Sequence, residues 1–184
     1  MLAYVFWHVP APEVDAADYE ARLTGFHEAL RAERPPGLGL TCAVGLDAIP
    51  WLAGSAGYED WYLVQDFAAL GALNVAAVTG SRQAPHDAAA AVARRGVAGL
   101  MGHISGPLLP ELPGWAAWLS KPDGLAYDAF HAALWEALGN DASAWQRQMT
   151  LGPATEYCVL APAARPLPWP AQGWPLRRVV EPAG

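Results

Sequence analysis

An α+β fold assembled from two related halves is what this sequence predicts. Segments with strand and helix periodicity follow one another as β-α-β-β-α-β over residues 1–106 and as β-α-β-β over 114–161. The first order is that of a split βαβ, ferredoxin-like unit, and the second is a partial copy of it. A pentapeptide recurs at the same place in both halves. Phe26-His27-Glu28-Ala29-Leu30 and Phe130-His131-Ala132-Ala133-Leu134 each fall in the helix after the half's first strand. The composition can supply a core for such a fold, since 53% of the 184 residues are hydrophobic, only 16% are charged, and nine are tryptophan.

Taken in order, residues 2–9 (LAYVFWHV) are β-branched and aromatic and stop at Pro10, which predicts a strand. Asp15 or Asp18 caps the helix that follows, whose stripe is Tyr19, Leu23, Phe26 and Leu30, and Pro35-Pro36-Gly37 ends it. Residues 38–46 and 58–66 read as the next two strands, with a Gly54-Ser55-Ala56-Gly57 loop before the second. Residues 67–79 read as a helix closed by Gly80. Pro85 suits the first turn of another, which the Ala-rich run 88–95 extends toward Gly96 or Gly99. A strand over 100–105 completes the first half. The second half has strands at 115–119, 144–151 and 155–160, with a helix from near Asp123 that carries Tyr127, Phe130, Leu134 and Leu138. Residues 162–184 form a third segment rich in proline, expected to be an extended polyproline arm. Trp169, Trp174 and Leu176 argue that this arm docks, because a solvated tail has no use for two indoles.

Net charge is −7 and no run of Lys or Arg exceeds a pair, which disfavours nucleic acid as a partner. Cys42 and Cys158 sit in apolar, strand-like stretches without a CxxC partner. Both are expected to be reduced, buried and free of metal. The N-terminus lacks a basic, apolar leader, and no stretch reaches the ~20 apolar residues of a membrane span, so a cytoplasmic protein is expected. With both halves in one chain, either a monomeric pseudo-dimer or a homodimer is consistent with the pattern.

The element order resembles the dimeric α+β barrel superfamily, here with two halves in one chain. Tyr58-Glu59-Asp60-Trp61-Tyr62-Leu63-Val64, Leu73-Asn74-Val75-Ala76-Ala77 and Pro85-His86-Asp87 also resemble an uncharacterised bacterial family. The resemblance implies two antiparallel sheets packed face to face into a barrel, with helices outside. The superfamily includes small-molecule monooxygenases, haem-binding and haem-degrading enzymes, isomerases and proteins without assigned roles. It therefore implies a range of functions rather than one.

Alternation along the strands locates a candidate site. Tyr4, Phe6 and His8 share one face of the first strand, and Tyr58, Asp60 and Tyr62 share one face of the third. In the fourth, Met101, His103 and Ser105 share a face. These faces mix aromatic and polar groups and are expected to line a pocket between the two sheets. His8 and His103 would transfer protons there, with Asp60 orienting one of them, because imidazole titrates near neutrality. Tyr4, Tyr58, Tyr62 and His86 would contact the ligand. His27 and His131 lie on apolar helix stripes and are expected to pack. No zinc spacing, dinucleotide fingerprint, P-loop or nucleophile elbow occurs, so no cofactor is expected. One proximal histidine suffices for haem, so a haem site stays open at this point. Two functions follow: an enzyme on a small apolar compound, such as a cofactor-free monooxygenase or isomerase, or a non-catalytic binding or scaffold protein. An open pocket with converging histidines would favour the first, and a barrel packed with Trp and Tyr the second.

Overall fold

The structure, a computed structural model, describes residues 1–109 and 113–184. It is an α+β fold with nine strands and four α-helices among those residues. In chain order these are β1 (Leu2–Pro10), α1 (Ala16–Ala32), β2 (Leu38–Ile49), β3 (Ser55–Val64), α2 (Phe67–Ala77), α3 (Gln83–Ala90) and β4 (Ala93–Ser105). Then come β5 (Trp115–Leu119), α4 (Tyr127–Leu138), β6 (Ser143–Arg147), β7 (Tyr157–Ala161), β8 (Gln172–Pro175) and β9 (Arg177–Ala183). No described helix is long and apolar enough to cross a membrane.

All nine strands join one antiparallel sheet, in the order β8-β5-β7-β6-β4-β1-β3-β2-β9. This corrects the expectation of two separate sheets closed into a barrel. The ladder is continuous across the middle, through β4 and β6, and it is not closed at its ends. The sheet nevertheless curls strongly. In a flat sheet β5 and β1, four spacings apart, would lie roughly 19 Å from each other. Yet the Trp7 ring of β1 meets the Trp118 ring of β5 at 5.3 Å, and Trp61 of β3 meets Trp145 of β6 at 5.4 Å.

The inside of this curl is the main core. Trp7, Trp61, Trp118 and Trp145 fill it with Val5, Leu63, Met101 and both cysteines. Cys42 and Cys158 are buried and free, and burial pushes both thiols up, so neither is a ready thiolate. Helices cover the outer face. Asp15 caps α1 by accepting from the Ala17 N–H, and its stripe Tyr19, Leu23, Phe26, His27 and Leu30 is buried. On α4, Phe130, Leu134 and Leu138 are buried, whereas Tyr127 at the helix start is exposed.

Several boundaries depart from the sequence reading: β2 runs on to Ile49, and β3 begins at Ser55, inside the expected Gly54–Gly57 loop, and ends at Val64. β4 begins at Ala93, and the Ala-rich helix stops at Ala90. Alanine tolerates either state, and β1 offers unpaired backbone groups as far as Pro10, which the extended β4 satisfies. β6 ends at Arg147 because Met149, at φ 52, turns the chain. The proline-rich arm contributes β8 and β9, two edge strands, where a missing N–H costs no ladder bond. β8 pairs with β5 and β9 with β2, with only Leu176 between them, so the arm crosses from one edge of the curled sheet to the other. Trp174 and Leu176 pack on the core inside the curl.

Candidate functional site

A cavity of about 470 Å³ lies between the sheet and α1, α2 and α3, not inside the curl. The expected position between two sheets is thereby corrected. The mixed faces of β1 and β3 turn outward toward the helices, and the tryptophan-rich faces turn inward. The physical reason is bulk: Trp7 and Trp61 bury fully only where other strands close over them.

Tyr4, His8, Asp60, Tyr62 and His86 line the cavity. Its apolar wall includes Phe6, Leu23, Phe26, Leu70 and Leu73. Gly96 of β4 is required beneath Phe6, since a Cβ there would come within 2.3 Å of the ring. Phe6 in turn stacks on His8 at 4.9 Å. The exposed Arg94 and Arg95 stand at the rim.

At the closed end sits Asp60, 2% exposed, between two imidazoles. His8 Nε2 is 3.2 Å from Asp60 Oδ1, and His27 Nε2 is 3.8 Å from Oδ2. The His8 approach is within ion-pair reach but out of line for a hydrogen bond, so His8 Nε2 and Asp60 Oδ1 both lack a hydrogen-bond partner among the described residues. Tyr62 donates its O–H to Asp60 Oδ2 at 3.0 Å and stacks on His27 at 5.0 Å. His8 Nδ1 and the Tyr19 hydroxyl are 2.6 Å apart. Burial alone would raise the Asp60 carboxyl, but the charges of His8 and His27 and their polar contacts hold it well below the usual carboxylate range. Burial and the Asp60 charge push the Tyr19 and Tyr62 phenols up, so both remain protonated. The site is thus a fixed carboxylate flanked by two imidazoles, with phenols as hydrogen-bond partners. It can take a proton from a bound molecule and stabilise the imidazolium that results.

The structure separates the remaining expected site residues from this cluster. His103 lies on the opposite side of the sheet, inside the curl against Trp145 at 5.0 Å, so it does not converge with His8. β4 pairs with β1 so that Leu100, not Met101 or His103, shares the face of Tyr4. Tyr58 is buried beside the site rather than on the cavity. It stacks on His8 at 5.7 Å, donates to Glu20 Oε1 at 2.9 Å, and lines a smaller cavity of about 180 Å³ with Arg177. His86 is half-buried on α3, edge-on to Phe26 at 5.4 Å and 3.0 Å from Asp87 Oδ1.

Two buried polar residues escaped the sequence reading. His27 was expected to pack, and it does, but its stripe faces β3, where Asp60 and Tyr62 stand. Glu59 is buried inside the curl, where it accepts the indole N–H of Trp7 and of Trp61 at 2.5 Å each. Burial pushes its carboxyl up to about 7 against those two bonds. Strand alternation, which sends Glu59 opposite Asp60, was the available signal for it. No group of three or more His, Cys, Asp or Glu among the described residues is placed to hold a metal ion.

Comparison with known proteins places the fold and no more. No family model matches the chain, and no curated protein matches it in sequence. In three dimensions it is similar to a crystal structure described as "putative monooxygenase from Lactobacillus acidophilus NCFM". The TM-score is 0.60 with 97% of this chain and 94% of that one covered, at 11% identity. At that identity the likeness shows a shared α+β fold.

Proposed function

We propose that this protein is an enzyme that binds a small, largely apolar molecule between α1–α3 and the sheet and removes a proton from it through His8. The observation that carries the proposal is Asp60, buried and ionised beside His8 and His27 at the closed end of an apolar-walled cavity. His8 Nε2 and Asp60 Oδ1 face each other at 3.2 Å with no aligned hydrogen bond among the described residues, and a buried acid–base pair at the end of a cavity is the arrangement that proton transfer uses. The proton passes from an acidic O–H or C–H of the substrate to His8 in its neutral form, and Asp60 holds the imidazolium that results. The anion left behind reacts with dioxygen in a cofactor-free monooxygenase, or takes the proton back at another atom in an isomerase. The fold shared with a protein described as a monooxygenase supports the former.

The chain is further proposed to hold two ferredoxin-like halves derived by duplication. Four strands in the order β4-β1-β3-β2 are matched by β8-β5-β7-β6, each half opening β-α-β-β, with helices before the last strand only in the first. A second reading, a scaffold without chemistry, draws support from the curl, which is packed with tryptophan. The two are separated by His8→Ala. With a ligand found by thermal-shift screening of metabolites, this variant is expected to stay folded and lose turnover or binding. An unchanged affinity and turnover would favour the scaffold.

A further inference from the structure

The outer face of β5–β7 repeats part of the site and is already occupied. Phe130 and His131 of α4 stand where Phe26 and His27 stand in α1, each pair next to a sheet tyrosine. Phe26 lies 6.3 Å from Tyr62, and Phe130 lies 4.7 Å from Tyr157. His27 stacks on Tyr62, and His131 Nε2 is 3.1 Å from the Tyr157 hydroxyl. The first half then runs through α2 and α3 into β4, and these helices roof the cavity. The second half runs through the proline-rich segment into β8, and no helix intervenes. In the space so left, Trp169 stacks on Phe130 at 4.4 Å, with 28° between the rings. It packs with Leu125, Leu167 and Trp115 on the same cluster.

From this occupied copy we infer that the cavity of the first half takes a planar, fused aromatic ring stacked on Phe26, the place that the Trp169 indole fills on Phe130. The inference rests on the proposed site being a ligand site and adds the shape of its occupant. The surroundings suit it. Phe6, Leu23, Phe26, Leu70 and Leu73 line the cavity together, and the His86 and Phe26 rings lie 5.4 Å apart at 71° to each other rather than stacked. The polar cluster of His8, Asp60 and Tyr62 lies at one end and Arg94 at the open rim. A fused-ring compound with one hydroxyl therefore presents its polar group to His8. The second half has no counterpart of this acid–base pair. The position two residues before Tyr157 is Thr155, where Asp60 precedes Tyr62, so the copy keeps the aromatic platform without the chemistry.

The experiment uses 2-naphthol as probe and the full chain. Isothermal titration of the wild type is expected to give one site, and Trp169→Ala two, because the vacated platform on Phe130 becomes a second. Trp169→Phe, which keeps a ring in place, should remain at one. Phe26→Ala should weaken the wild-type site about tenfold, the scale of a lost aromatic stack plus buried area. One site in Trp169→Ala, none in the wild type, or an unchanged affinity in Phe26→Ala each overturns the inference. A second readout covers a destabilised variant. The probe should raise the Tm of Trp169→Ala more than that of the wild type, and equal shifts would also overturn it. These outcomes are independent of the proton-transfer reading. That reading fails if His8→Ala keeps full turnover, whatever the stoichiometry, and stands if His8→Ala abolishes turnover of a compound without a fused ring.

Discussion

Glu59 makes stability fall as pH rises through the neutral range. Its carboxyl is fully buried among indoles, and burial lifts its pKa from an ordinary 4.5 to about 7. Between those values the unfolded chain has released the proton and the folded chain keeps it, so raising pH favours unfolding. The full penalty is about 3 kcal/mol, at about 1.4 kcal/mol per tenfold change in proton affinity. About 2.5 kcal/mol of it falls between pH 5 and pH 8. The perturbation is Glu59→Gln, which does not titrate. Gln presents an NH2 to one of the two indole donors, so it carries a pH-independent cost of about 1–3 kcal/mol. Urea unfolding of both proteins, followed by far-UV circular dichroism across pH 5–8, isolates the term, because every other group titrates in both. The wild type should lose its advantage over the variant by about 2.5 kcal/mol across that window. A difference that stays constant with pH would refute the reasoning, and would mean that water or another cation reaches the carboxylate.

Asp60 titrates with the opposite sign. Its folded pKa is depressed, so its stabilisation is present above the ordinary carboxylate value and is lost as pH falls below about 4. Asp60→Asn should cost about 3 kcal/mol by removing a buried carboxylate from between its polar partners, and it should flatten the acid limb of the stability profile measured by denaturant unfolding. Trp118→Ala should cost about 3–5 kcal/mol by opening a void between Trp7 and Trp51, with an unchanged site; thermal unfolding reads the loss. Truncation before Gln172 removes both edge strands and the contacts of Trp174 and Leu176. The bared edges of β5 and β2 should then drive self-association, seen by light scattering, and a stable monomer would show that the arm is dispensable.

Local patterns in the chain determined a good deal by themselves. The strand and helix succession as far as β7, a cap at Asp15 or Asp18, the stripe of α1 and the burial of both cysteines follow from periodicity, capping and hydrophobicity. So does the sharing of one face by Tyr4 and His8, and of another by Asp60 and Tyr62, because alternation acts within one strand. Which face would look inward was not contained in any strand. It depended on how nine strands curl, and that was decided by the need to bury Trp7, Trp61, Trp118 and Trp145 against one another across strands far apart in sequence. His103 shows the same limit, since its side of the sheet is set by the register of β4 on β1 and not by its own neighbours. His27 reaches Asp60 only because α1 lies across β3, and the arm finds both sheet edges only because the curl brings them near each other. Alternation and capping are local and are written residue by residue; register, curl and the meeting of a helix histidine with a strand carboxylate are properties of packing, which only the assembled structure decides.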